Sequence, residues 1–163
     1  ALGTAYTGET GSTSQANTNQ IVHGSTGLTI AKLRTAKQTL DLGDVDPSIP
    51  RHIIVSPRQI TDLLGTTEVT SSDFNTVKAL ANGEVNSFLG FNFIVSNRLA
   101  LSSTTRSCIA YAQDGIALAV GKDVNARIDE RADKSYATQV YYCMSIGATR
   151  MEEAKVVEVQ CTE

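Results

Sequence analysis

Residues 127–153 read RIDERADKSYATQVYYCMSIGATRMEE. The stretch opens on a knot of charge: Arg127, Asp129, Glu130, Arg131, Asp133 and Lys134. It continues, almost without charge, through an apolar and aromatic run and closes on Arg150, Glu152 and Glu153. Two kinds of chemistry use such a pattern. Carboxylates set close together do acid–base work, as in glycoside hydrolysis. Charges of alternating sign fix register between subunits and exclude wrong partners. Each carboxylate of the knot has a cation within four residues, in Arg127, Arg131 or Lys134. A nearby cation keeps a carboxylate ionised, which opposes the raised pKa that a general acid needs. A contact with neighbouring subunits is the sharper reading, and a solvated loop with its own ion pairs is the bland one. A small α/β hydrolytic or ligand-binding domain using Asp129 and Glu130 is the weaker alternative.

The chain around this stretch has 163 residues, enough for one domain or two small interleaved lobes. With 41% hydrophobic and 19% charged residues it has material for a core. No apolar run reaches the roughly 20 residues that span a bilayer, so no membrane partner is expected. The net charge of −3 lacks the clustered Lys/Arg excess that phosphate neutralisation requires, so specific nucleic-acid binding is not expected. Cys108, Cys143 and Cys161 are odd in number and widely spaced. They read as buried, reduced thiols rather than a disulfide or zinc framework. The chain begins with Ala1, without the basic and apolar regions of a leader, which reads as a processed form or a fragment.

Residues 1–26 are rich in Thr, Ser, Gly and Asn and read as an extended arm or flexible loop, ordered only against a neighbour. In LTIAKLRTAKQTLDLGD, Ile30, Leu33, Lys37 and Leu40 recur at helical spacing, with Thr29 as cap and Gly43 in the left-handed position past the end. VDPSIP then breaks the chain and marks a lobe boundary. RHIIVSPRQITDLLG gives a short strand over Ile53, Ile54 and Val55. A helix follows, with Ser56 as cap, Pro57 first, Gln59 closing a capping box, Val55 and Ile60 as staple, and Gly65 at the end. A further helix is expected from the Ser72 cap through Phe74, Val77 and Ala81 to Gly83. Phe91, Phe93 and Val95 alternate with polar neighbours as a strand with one buried face. SCIAYAQ and GIALAVGKDV form two strands about a turn at Asp114 and Gly115. Residues 138–146 form another, and KVVEVQC a last one. Helices and strands alternate through 50–125 and strands alone follow, which is an α+β or α/β pattern.

No catalytic motif emerges. His23 and His52 have no companion ligands, and neither HExxH nor GxSxG occurs, so no metal or cofactor is expected. Ser56 sits between Val55 and Pro57, where a nucleophile elbow needs glycines. Gly121 to Asp123 lacks the upstream glycine of a phosphate loop. Asp41, Asp44 and Asp46 lack the spacing and closing Glu of a calcium loop.

The run GKDVNARIDERADKSYATQVYYCMSIGATRMEEAKVVEVQC, residues 121–161, resembles the C-terminal part of the major capsid proteins of tailed bacteriophages. LTIAKLRTAKQTLDLGDVD, RHIIVSPRQITDLLG and SFLGFNF resemble further segments of that family, in the same order. The resemblance covers about residues 27–161 and rests on long strings rather than on a few catalytic residues. It implies the Hong Kong 97-type capsid fold, an α+β architecture. In that fold a long helix and long strands make a peripheral domain, and a compact α/β axial domain points to the capsomer centre. Residues 1–26 would be the arm, 27–50 the peripheral helix, 51–136 the axial domain and 137–163 the peripheral strands. Chains of that family are about twice as long. Their N-terminal arm and the two-stranded loop that laps a neighbour are expected before residue 1.

The implied function is a virion structural protein, not an enzyme. It would assemble in the bacterial host cytoplasm, with other copies of itself, into the icosahedral shell around packaged double-stranded DNA. Portal and decoration proteins would be further partners. A decoration or tail protein of the virion is the alternative within the same class. On this reading Arg127, Asp129, Glu130, Arg131, Asp133 and Lys134, with Arg150, Glu152 and Glu153, lie at surfaces that meet neighbours.

Overall fold

A computed structural model describes residues 5–7, 13–15, 17–65 and 87–163. Two short strands, β1 (Ala5–Thr7) and β2 (Thr13–Gln15), pair antiparallel. Then come β3 (Gln20–Ile21), helix α1 (Ile30–Leu42), β4 (Arg51–Val55), helix α2 (Pro57–Leu64), β5 (Ser87–Phe88), β6 (Phe91–Val95), β7 (Leu101–Ser102) and β8 (Thr105–Ala112). Two long strands, β9 (Ile116–Arg131) and β10 (Ala137–Arg150), precede the last, β11 (Val156–Thr162). The body of the protein is one mixed sheet in the order β3-β11-β8-β4-β6-β5, with β7 on the edge of β8. β4 and β6 run parallel, whereas β8 is antiparallel to both β4 and β11.

Strand alternation puts Ile53, Val55, Phe91, Cys108, Ala110, Val157, Val159 and Cys161 on one face of this sheet. Leu33, Ala36 and Leu40 of α1 and Leu63 of α2 close over that face, and together these residues form one core. The expected boundaries at 50/51 and 136/137 cut across this arrangement. Helix α1, strands β4 to β8 and strand β11 share the core, whereas β9 and β10 leave the sheet as a pair. The turn expected at Asp114 and Gly115 is present, but the chain does not fold back there. Both edges of β8 are already taken by β4 and β11, so β9 can only run outward and find β10.

Several local expectations change for identifiable reasons. Residues 17–28 are not an arm. β3 pairs with β11, Leu28 is fully buried, and the backbone N–H of Thr18 donates to Glu153 Oε1 at 2.6 Å. Thr29 caps α1 as expected, accepting from the Lys32 N–H. Gly43 is not the left-handed residue, with φ −81°; Asp44 is, at φ 53°. Gly43 is instead a close-approach position, because a Cβ there would lie 3.1 Å from the Ala154 Cβ. Ser56 and Gln59 occupy the cap and third positions of α2 but form no capping box. The Ser56 hydroxyl donates to Glu163 Oε1 at 2.6 Å, and Gln59 Oε1 accepts from the Leu28 N–H at 2.8 Å. Tertiary partners displace the local pairing. Phe91 is buried, yet Val95 on the same face is half exposed at the end of β6. Cys143 is only partly buried, unlike Cys108 and Cys161. The helix expected between Ser72 and Gly83 lies outside the described residues.

Candidate functional site

β9 and β10 form an antiparallel hairpin whose register runs from Ile116↔Arg150 at the root to Arg131↔Ala137 at the tip. At about 3.3 Å per residue it reaches roughly 50 Å from the body. Register shifts between Cys143 and Ser145, and between Ser145 and Ile146, mark irregularities partway along. In the outer half the two faces differ in chemistry. Arg127↔Tyr141, Asp129↔Gln139 and Arg131↔Ala137 share one face, with Ile128↔Val140 and Ala126↔Tyr142 on the other. The polar face is concave, lined by Lys122, Asn125, Arg127, Asp129, Gln139 and Tyr141. On the apolar face Ile128, Val140 and Tyr142 are 71%, 68% and 62% exposed. A two-stranded ribbon with this much uncovered apolar surface is not stable on its own in water.

The charged knot is the tip of this hairpin, not a turn between two domains. Residues Ala132–Lys134 make a single 3-10 turn, after which Ser135 and Tyr136 both adopt left-handed backbone, at φ 53° and 60°. Arg131 Nε donates to Asp133 Oδ1 at 2.9 Å, and this bond draws the Asp133 carboxyl below its ordinary pKa. Arg127, Asp129, Glu130 and Lys134 are exposed and have no ion-pair partner among the described residues. Asp129 and Glu130 are neighbours on one strand, so they point to opposite faces. That geometry removes the paired-carboxylate reading, and the concave face that holds Asp129 also holds Arg127 and Lys122.

Arg150, Glu152 and Glu153 do not join the tip. They sit at the hairpin root, in a network within the chain. Arg150 is buried and pairs with Glu153 at 2.6 Å. Lys155 pairs with Glu152 at 2.9 Å and with Asp114 at 2.6 Å. The nine charges singled out in the sequence thus fall into two groups. One clamps the root of the hairpin to the body, and the other projects at its far end.

Two further clusters hold the body and gave no motif signal. The Lys32 ammonium, almost fully buried, donates to the carbonyls of His23, Thr26 and Gly27, each at 2.8 Å, and of Gln160 at 3.1 Å. Burial lowers its pKa from the ordinary lysine value. Close by, just past the end of β11, Glu163 accepts from Arg106 Nη2 at 2.7 Å and from Ser56 Oγ. The hydrogen bond from Arg106, aided by Ser56, draws the Glu163 carboxyl down from 4.5 to about 2. A depressed carboxylate contributes stability that is present above its unfolded pKa and lost as pH falls through its folded one. Stability is therefore expected to decline between pH 4.5 and 2. Glu163→Gln is expected to flatten that decline and to cost about 1.5–3 kcal/mol at neutral pH, the worth of a charged hydrogen bond. Urea titrations of both proteins across pH check this.

Among the described residues no group of His, Cys, Asp and Glu is placed to hold a metal ion. No helix among them is long and apolar enough to cross a membrane.

A family model described as phage capsid protein matches residues 1–163. No curated protein matches the sequence. Similar solved structures include one from Mycobacterium phage Che8, at 15% identity and TM-score 0.70, with 88% of this chain and 53% of that one covered. The capsid of cyanophage P-SCSP1u gives 17% identity and TM-score 0.64, again over 88% and 53%. The acid-stable capsid of Helicobacter pylori bacteriophage KHP30 gives 12% identity and TM-score 0.65, over 99% and 62%. The chain thus spans about half the length of the first two.

Proposed function

Because the chain belongs to the phage capsid protein family and has the Hong Kong 97-type fold, we propose that it is a major capsid subunit. Copies of it assemble, in the cytoplasm of a bacterial host, into the icosahedral shell that encloses packaged double-stranded DNA. The observation that carries this reading is the family match over the whole chain, together with a fold built for display rather than catalysis. A compact body carries a hairpin that leaves most of its side chains uncovered. The body is the axial domain and the hairpin is the strand pair of the peripheral domain. The apolar face of the hairpin, uncovered in the single chain, is covered in the assembled shell. This division replaces the one drawn from sequence, since α1 is engaged in the core of the body.

A shell is held by many weak contacts repeated around its symmetry axes. Arg127, Asp129, Glu130, Arg131, Asp133 and Lys134 supply such contacts at the far end of the hairpin. Arg150, Glu152 and Glu153 act one step back, by fixing the angle at which the hairpin leaves. A mildly acidic wall does not hold the packaged DNA tightly, and portal and decoration proteins are further partners of the shell. Negative-stain microscopy of the full-length gene product tests the reading directly, with shells or capsomers expected and a monomer at every concentration counting against it. Reversing both tip arginines, in Arg127→Glu with Arg131→Glu, is expected to abolish shells. The unfolding midpoint should stay within the small range typical of surface changes, about 0.5 kcal/mol. Shells that form as in the wild type would remove the tip from the interface.

A further inference from the structure

An isolated ribbon of two strands needs at least one strand more to be stable in water. β9 and β10 pair with each other and with no further strand among the described residues. β1 comes close to β10, which leaves β9 the freer edge. Such an edge presents a row of unpaired N–H and C=O groups, a template for another chain. The order of the charges along β9 selects which chain fits.

Two copies of one strand that pair antiparallel about a twofold axis set that axis on a residue, because opposed residues must share a face. The ladder of the hairpin is regular from Asn125 to Arg131. An axis at Asn125 or Ala126 runs into the irregular stretch within two residues. An axis at Arg127, Asp129, Glu130 or Arg131 sets that residue against its own copy, and like charges directly opposite are destabilising. Ile128 alone escapes both faults. With the axis there, Arg127 of each copy stands opposite Asp129 of the other, twice over. Glu130 meets Ala126, Arg131 meets Asn125, and no like charges are opposed within the regular stretch. Arg127 and Asp129 are exposed on one face, and neither has an ion-pair partner among the described residues.

The apolar face agrees with the same axis. Ile128 is largely exposed and stands opposite Val140 in its own hairpin. On the axis it meets Ile128 of the second copy, so one apolar row crosses all four strands. A twofold axis perpendicular to a sheet keeps each face on its own side. The apolar faces of the two hairpins therefore lie together and can be covered at once.

We propose that β9 pairs antiparallel with β9 of a second copy about a twofold axis at Ile128, so that two hairpins make one four-stranded sheet. The backbone ladder and the repetition of the contact around the shell supply its strength. The Arg127–Asp129 pairs choose its register, since the neighbouring placements oppose like charges. The contact joins the peripheral part of one subunit to the peripheral part of another. The proposal deepens the capsid reading and rests on it.

The test uses the full-length gene product. Arg127→Asp and Asp129→Arg each place like charges opposite one another in both pairs, and each is expected to lower shell yield at least about tenfold. The exchange of the two, Arg127→Asp with Asp129→Arg, restores opposite charges at the same positions and is expected to return the yield to within about twofold of wild type. A contact with a different surface gives no such rescue. Ile128→Cys in assembled particles, oxidised with copper phenanthroline, is expected to form a disulfide-linked dimer. Val124→Cys, roughly 26 Å from its own copy in this register, is expected to form no more dimer than the wild type. An exchange that assembles no better than the single changes, or Ile128→Cys particles without the dimer, would overturn the pairing and leave the capsid reading intact. A wild-type product that never forms shells would overturn both.

Discussion

Lys32→Met is expected to lower the stability of the body by about 1.5–3 kcal/mol, the range for hydrogen bonds to a charged group. Four carbonyls converge on the ammonium. Three come from the loop 23–27 and one from β11, so a single side chain on α1 ties the N-terminal segment, the helix and the sheet together. Methionine has nearly the right length and shape but donates nothing. The carbonyls of His23 and Thr26 keep backbone donors, in the N–H groups of Thr26 and Thr162, so the loss is that of the Lys32 bonds themselves. For a chain of this size the loss corresponds to a drop of about 5–10 °C in unfolding midpoint. Thermal melts followed by circular dichroism read it directly. Lys32→Arg is the informative companion, because a planar fork cannot point at carbonyls arranged around one nitrogen. A midpoint unchanged in both variants would mean that the four bonds are not made in solution.

The second large effect concerns the hairpin. Carboxylates placed at Ile128 and Val140, in the double variant Ile128→Asp with Val140→Asp, are expected to reduce shell yield at least about a hundredfold, since burying an unpaired charge costs several kcal/mol and every 1.4 kcal/mol is tenfold. The same change on the opposite face, Gln139→Asp, should assemble at close to wild-type yield, because that face is already polar. Sedimentation of the full-length product through sucrose separates shells from free subunits and scores all three proteins together. Equal loss from both faces would show that the hairpin is not covered on one side. That would contradict the peripheral-domain assignment.

Local signals in the sequence carried most of the body. The apolar spacing of α1, the Thr29 cap, Pro57 at the start of α2 and the alternation in KVVEVQC each act over a few residues, and each appears where expected. What failed depends on partners far away in the chain. Ser56 and Gln59 have the letters of a capping box, but Glu163 and Leu28 outbid the local pairing. The long strands were read as shorter pieces because the charged knot looks like a break. In fact the alternation of Val124, Ala126 and Ile128 with Asn125, Arg127 and Asp129 runs into the knot as far as Asp129 and was legible. The role of Lys32 was not legible, because carbonyl acceptors leave no trace in side-chain identity. Nor was the split of the nine charges into a root group and a tip group, which needs the register of the hairpin.

The position of β11 has a consequence for how the subunit is made. This strand lies inside the sheet, between β3 and β8, although it comes last among the elements. Helix α1 and the segment before it are synthesised well before β11, yet the carbonyl of Gln160, the carboxylate of Glu153 and the apolar side of β11 are what they fasten to. At ribosomal speeds of about 5–20 residues per second, the roughly 120 residues between α1 and the end of β11 take on the order of 10 s to appear. Over that interval the helix has its apolar stripe uncovered and the long hairpin emerges before the body behind it can close. Chains on neighbouring ribosomes of one message would display the same sticky surfaces side by side. A subunit whose closing strand comes last is therefore open to premature association with its neighbours for as long as its synthesis is unfinished.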